Sequence, residues 1–215
     1  MVVAEIRRIE QADCWEKAAN EFLTRLTVGD RITFDLKNGK EAETVVVGKS
    51  HYEDGDIVLW FNRTVDERRM NRRDTNKGGW ADCEMREWLN KDFINQLPDD
   101  LRALMVPKET IQIINDKTIE CEDMVFLPSH YEIVGEEYSW VNYNGIDKHL
   151  PFFTSERDRI VINDENETWF WWLADPSAAA ATAFCFFGHG GDSNHTHASH
   201  AGGVAPLIVL HPAEQ

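Results

Sequence analysis

The chain has 215 residues and a formal charge of −16, with 42% hydrophobic and 28% charged residues. This is the composition of a globular protein long enough to bury a sizeable core, with one domain the economical reading. The charge argues against nucleic acid or an anionic membrane as partner, because both demand clustered Lys and Arg.

Residues 1–10 lack the apolar core of a signal peptide, and no run reaches the roughly 18 apolar residues of a membrane span. Synthesis in a cytoplasm without a signal peptide is expected, with no membrane insertion. A phage virion or the cell surface would be reached by another route. Cys14, Cys83, Cys121 and Cys185 are far apart and form no CxxC, so reduced thiols are expected rather than a zinc knuckle or disulfide framework.

In chain order, residues 4–26 carry Ile6, Ile9, Ala12, Ala18, Ala19, Phe22, Leu23 and Leu26 near helical spacing. They predict a helical segment over residues 1–28, packed on a domain over 29–215. Residues 31–36 alternate with period two, Asn38-Gly39 is a hairpin signal, and 44–48 is the return strand. Residues 56–61 read as a third strand. Arg68, Arg69, Arg72 and Arg73 lie in a polar loop, read as solvated and paired with local carboxylates. Trp80, Met85, Trp88, Leu89 and Phe93 mark a helix over about 81–95, and Pro98-Asp99-Asp100 opens a short one. Residues 111–114 and 125–129 look like strands, with Ser129 placed to cap a helix over 129–134. Residues 138–145 form a loop, and 159–162 lead into Trp169-Phe170-Trp171-Trp172-Leu173.

From Ala174 to Gly203 the alphabet narrows. Lys, Glu, Gln, Trp and Met fill 46 of the other 185 residues and are absent from these thirty. What remains, Ala, Gly, Ser, Thr, His, Asp, Asn, Phe, Pro and Cys, can all be written with codons ending in a pyrimidine. No apolar period of 3.6 runs through the stretch, and glycine punctuates it. It reads as an irregular surface held between two buried strands, the second being Val204–Leu210.

Two chemistries are available to this stretch. His195, His197 and His200, near Asp192, have a spacing able to wrap a zinc or nickel ion. A metal-binding module or metalloenzyme built on them is the alternative reading. Against it, the segment has no Glu to act as base, and solvent-facing loop histidines are the simpler assignment. Cys185 lies between Phe184 and Phe186 on an apparent buried strand, where a thiol is inert. No phosphate loop, GxSxG or HExxH is present. No catalytic residue, cofactor or bound metal is therefore expected.

Several motifs then fall in a fixed order: Gly29-Asp30-Arg31-Ile32-Thr33-Phe34, Gly79-Trp80, Met85-Arg86-Glu87-Trp88-Leu89-Asn90, Phe126-Leu127-Pro128-Ser129, Trp171-Trp172-Leu173-Ala174-Asp175-Pro176 and Gly203-Val204-Ala205-Pro206. Over about residues 29–210 this series resembles the uncharacterised bacterial and phage family DUF6273, with Ala174-Asp175 where the family usually has Arg-Ser. The resemblance implies an α+β, C-type-lectin-like fold related to the formylglycine-generating enzyme. That enzyme's cysteine and copper chemistry has no counterpart that maps onto this chain. Some members resemble variable proteins of diversity-generating retroelements, in which adenine-directed mutagenesis rewrites asparagine codons into other pyrimidine-ended codons. Such codons never give Lys, Glu, Gln, Trp or Met.

The resemblance implies substituted, ligand-facing positions at Phe186, Gly188, His189, Gly190, Asp192, Asn194, His195, Thr196, His197, His200 and Gly202, with Ala180 and Ala183 as weaker candidates. Ala181, Thr182, Phe184, Cys185, Phe187, Gly191, Ser193, Ala198, Ser199 and Gly203 would be scaffold. The function implied is non-enzymatic binding of a protein or surface glycan. No calcium-ligand spacing is visible.

Overall fold

The computed structural model describes residues 6–9, 15, 17, 22–114, 117–141 and 146–211. Most of its regular structure is strand, arranged in mixed sheets with a few short helices.

The chain opens with a difference from expectation. Ile6–Ile9 is a strand, β1, lying parallel to β2 (Arg31–Asp35). Apolar residues three apart fit a helix, but here Ile9 enters the core while Arg8 pairs with Asp35 and Glu41 beside the strand. Most of the predicted N-terminal helix lies outside the described residues; Trp15 and Lys17 are helical, and Trp15, Leu23 and Leu26 belong to the same core as the rest.

The Asn38-Gly39 turn, with Gly39 at φ 84°, returns β2 into β3 (Glu41–Lys49) as predicted. In β2 the inward residues Ile32 and Phe34 are buried and the intervening ones half-buried. β4 (Ile57–Phe61) is buried at all five positions, the pattern of a strand covered on both faces.

β5 (Asp66–Arg68) then leaves for a second sheet. Helix α1 (Glu84–Lys91) is shorter than predicted. It is capped by the Cys83 sulfur, carries Glu84 and Glu87 in its first turn, and buries Met85, Trp88 and Leu89. A 3-10 turn at Phe93–Gln96 takes up the remainder. Helix α2 (Asp99–Leu104) follows Pro98, then comes β6 (Met105–Val106) and the hairpin of β7 (Lys108–Ile114) and β8 (Lys117–Asp123).

Residues 125–129 are buried but make only a single bridge, Phe126 to Leu207, so the predicted strand there is an extended connection. Ser129 caps helix α3 (His130–Val134) in a reciprocal box with Glu132, and Gly135 closes it at φ 74°.

The short pair β9 (Val161–Ile162) and β10 (Thr168–Trp169) precedes β11 (Trp171–Pro176). The stretch expected to be irregular, apart from a buried strand around Cys185, then forms two paired strands, β12 (Ala183–Phe187) and β13 (Ser193–His197). β14 (Gly202–Val204) runs parallel to β11, and β15 (Leu207–Leu210) ends the described chain in the first sheet.

The sheets are therefore β1-β2-β3-β4-β15-β6 and β13-β12-β11-β14-β5. They are joined by one two-stranded ribbon. β4 pairs with β15, and the same two chain segments go on to pair as β5 and β14. Phe61 and Val65 donate to the carbonyls of Pro206 and Val204 across the transition. Between the sheets the Trp60 ring lies 5.4 Å from Trp171 and 5.1 Å from Phe153. Burying such an aromatic side chain contributes about 1.5–3 kcal/mol. The ribbon and the tryptophan layer fix the frame on which the β12–β13 hairpin is displayed.

Candidate functional site

The β12–β13 hairpin forms one edge of the five-stranded sheet, with β13 outermost. Pairing is regular from Ala183 opposite His197 to Phe187 opposite Ser193. Side chains of a strand alternate between faces. One face therefore carries Ala183, Cys185, Phe187, Ser193, His195 and His197, and the other Phe184, Phe186, Asn194 and Thr196.

On the first face His130 from α3 anchors the strand. Its ring stacks on Phe187, lies beside Tyr138 and Trp140, and shares a hydrogen bond of 2.9 Å with the Ser193 hydroxyl. Burial, with a smaller push from Arg159, lowers the His130 pKa to about 4, so the ring is neutral at neutral pH. His195 packs 5.6 Å from Trp140. His197 faces Asp74 at 3.6 Å and the His200 ring at 5.5 Å. Asp74 is held below the usual carboxylate range, first by its hydrogen bonding to Ser199. On the second face Phe186 lies 5.1 Å from Phe170 and 6.3 Å from Trp172, and Thr196 hydrogen-bonds His200 Nδ1 at 2.8 Å.

The connection between the strands is closed by Gly188 N–H donating to the Asp192 carbonyl and Gly191 N–H donating to the Gly188 carbonyl. His189 at its tip meets the Trp169 ring edge and the Thr168 carbonyl at 2.6 Å. A carbonyl only accepts, so Nδ1 is the donor in this contact.

Entry to the hairpin is held from outside it. The Asn76 amide donates to the carbonyls of Ser177, Ala180 and Ala183 at 2.9–3.0 Å, and the Asn76 N–H donates to the Ala181 carbonyl. Asn71 N–H donates to Ala198 O, and Ala198 N–H to Thr182 O. The segment 63–77, read from sequence as a solvated loop, thus has two uses. Arg68 and Arg72 pair with Asp66 and Glu84, and Arg68 also stacks over Trp88 at 4.4 Å. Its asparagines meanwhile lace down the hairpin.

Ten of the thirteen candidate positions are exposed or half-buried: Ala180, Phe186, His189, Gly190, Asp192, Asn194, His195, Thr196, His197 and His200. Ala183, Gly188 and Gly202 are buried. A Cβ on Gly202 would lie 2.4 Å from the Phe170 ring and 2.6 Å from Trp172 Nε1, whereas one on Gly188 would meet only the movable Asp192 carboxylate. Six of the ten expected scaffold positions are buried: Phe184, Cys185, Phe187, Gly191, Ala198 and Gly203. Ala181 is exposed; Thr182, Ser193 and Ser199 are half-buried. Two grooves flank the hairpin. One, of about 310 Å³, is lined by Glu67, Arg68, Arg69, Arg72, Glu84, Ser199 and Ala201; the other, of about 420 Å³, includes Asn76, Lys77, Ile114 and Ala181.

Of the three histidines of the metal alternative, His195 packs on Trp140, while His197 and His200 lie near each other, His197 beside Asp74 and His200 bonded to Thr196. Among the described residues no three His, Cys, Asp or Glu side chains are grouped as metal ligands. Cys185 is buried, and burial pushes its thiol far up from its ordinary pKa. The roles of His130, Trp140, Asp74, Asn76 and Phe170 were missed from sequence, since each lies more than 15 residues from its partner.

No helix among the described residues is long and apolar enough to cross a membrane. Comparison with curated proteins and with solved structures finds no match to the chain. A family model described as Domain of unknown function (DUF6273) matches residues 37–212, which take in the five-stranded sheet, all of the six-stranded sheet but β1 and β2, the tryptophan layer and the hairpin, and the chain belongs to that family.

Proposed function

We propose that the protein is a non-enzymatic binder of C-type-lectin-like fold. Its β12–β13 hairpin presents a surface diversified by a retroelement to a protein or surface glycan. One observation carries the reading. The thirty residues that lack Lys, Glu, Gln, Trp and Met contain the β12–β13 hairpin and its flanks, and ten of their thirteen candidate substitution sites are exposed or half-buried. A codon-restricted alphabet on an externally anchored hairpin is what diversification without loss of fold requires. His189, His195, His197 and His200 with Phe186 supply adaptable polar and aromatic contacts, as restricted alphabets do in antibody loops. The flanking groove of mixed arginines and glutamates adds a polar rim outside the thirty residues.

Sequencing the DNA around the gene tests it. A near-copy of the stretch encoding 174–210, differing only where the copy has adenine, supports the reading. No copy, or a copy differing equally at other bases, overturns diversification.

A further inference from the structure

Arg68, Arg69, Arg72 and Arg73 lie close together in a chain whose formal charge is −16, and the fold does not treat them alike. Arg68 lies 3.2 Å from Asp66 and stacks over Trp88 at 4.4 Å. Arg72 Nε lies 3.4 Å from Glu84 Oε2, and the Arg72 N–H donates to Glu84 Oε1 at 3.1 Å. Both of these charges are answered within the protein. Arg69 is exposed, and among the described residues its guanidinium has no ion pair, hydrogen bond or ring beneath it. Glu67 is exposed as well. Its N–H is held by the Asp66 carboxylate, but its own carboxylate has no partner among the described residues.

These two unanswered charges, one of each sign, line the same groove of about 310 Å³. Arg68, Arg72 and Glu84 supply the rest of its charged wall, and Ser199 and Ala201 close it from the segment after β13. The volume reaches the roughly 300–1,000 Å³ of small-molecule sites. Glu67 and Arg69 stand two residues apart and do not pair with each other. An exposed ion pair contributes little, so a ligand that reaches both has no strong bond to break.

The groove discriminates by charge. A simple anion would meet the Glu67 carboxylate together with the negative charge of the whole chain. Helix α1, whose N-terminus borders the groove at Glu84, gives an anion no further help, because its first three N–H groups are taken by Asn71 Oδ1, the Met70 carbonyl and Cys83 Sγ. A simple amine would meet Arg69 beside two further arginines. A molecule carrying both charges answers both residues, and a guanidinium offers a carboxylate two parallel hydrogen bonds.

We propose that this groove binds a small zwitterion of the amino-acid class, with its carboxylate on Arg69 and its ammonium on Glu67. Neither residue lies in 174–203, so the site is present whether or not that stretch is diversified.

Amide chemical shifts of the isotope-labelled full chain, followed through titrations with γ-aminobutyrate, butyrate and butylamine at one ionic strength, separate the two charges. γ-Aminobutyrate is expected to move the signals of 67–72 and 199–201 saturably, with a Kd of about 10 mM or tighter, and the other two to bind at least about fivefold more weakly. Arg69→Gln and Glu67→Gln, both at exposed positions, each weaken it at least about fivefold. The double exchange Glu67→Arg with Arg69→Glu restores binding to within about twofold, because a zwitterion seats equally well reversed. Glu109→Gln, on β7 outside the groove, leaves it unchanged. Four results overturn the proposal: no saturable shift at 67–72 up to about 100 mM γ-aminobutyrate, equal binding of butyrate or butylamine, unaltered affinity in either single variant, or no recovery in the double exchange.

Discussion

Gly190 and Gly191 are adjacent and chemically identical, yet the structure assigns them opposite tolerance. Gly191 has φ 85°, and a Cβ there would lie 2.0 Å from the Glu156 carbonyl oxygen, a backbone atom. A side chain in the left-handed region costs about 1–2 kcal/mol, and relieving the overlap requires backbone shifts costing roughly 1–3 kcal/mol. Against this, Ala loses less unfolded-state entropy than Gly, a gain of about 0.4–1 kcal/mol. The net destabilisation expected for Gly191→Ala is about 2–4 kcal/mol. Gly190 has no positive φ, and its nearest neighbour would be Asp192 Oδ1 at 3.6 Å, ordinary contact. Gly190→Ala should lie within about 1 kcal/mol of the parent, on the stabilising side. At about 2–4 °C per kcal/mol for this length, Gly191→Ala lowers Tm by roughly 4–16 °C, while Gly190→Ala changes it little. Differential scanning calorimetry of the three proteins decides. A Gly191→Ala melt within about 2 °C of the parent, or equal damage from Gly190→Ala, refutes the division of the hairpin into fixed and free positions.

Asn76→Asp replaces a double donor by an acceptor facing three carbonyls. It should destabilise more than Asn76→Ala, which loses about 1–3 kcal/mol for two hydrogen bonds, as read by urea midpoints. His189→Ala and His200→Ala should each stay within about 0.5 kcal/mol in the same assay, since both side chains are exposed. Burial raises the Asp175 pKa to about 8, so the folded state keeps a proton that the unfolded chain releases near pH 4. Its contribution to stability is full below pH 4 and is lost as pH rises to about 8. Asp175→Asn is therefore expected to gain on the parent between pH 5 and 8.5; a pH-independent difference in urea midpoints would remove Asp175 as the cause.

What the sequence made legible was whatever rests on local pattern. Alternation at Arg31–Asp35, the Asn38-Gly39 turn, the apolar face of α1 and the Ser129 cap all encode their structure within a few residues. Of the hairpin, only the apolar run around Cys185 in β12 was legible; β13 was not, because Ser, Asn and His favour turns and its strand geometry is imposed by pairing onto β12. β1 was misread because Ile6 and Ile9 satisfy a helical spacing, and only docking beside β2 selects the strand. The candidate positions followed from the family resemblance; the neighbours that hold them, His130, Asp74 and Asn76, had no local signal. A Lys108–Glu132–Tyr52 cluster joins residues 24 to 80 positions apart. No spacing rule reaches that far.

The Asn76 contacts carry a consequence for inheritance. Its amide and N–H meet the carbonyls of Ser177, Ala180, Ala181 and Ala183, a group that every amino acid possesses. Rewriting a codon at Ala180 changes a side chain and leaves that anchor in place. The instruction for the shape of the hairpin's entry is thus stored about a hundred residues upstream, in a codon that a rewriting process confined to 174–203 never copies. If the proposed diversification operates, shape and chemistry at this surface are separately heritable, and many successive versions of the surface share one frame.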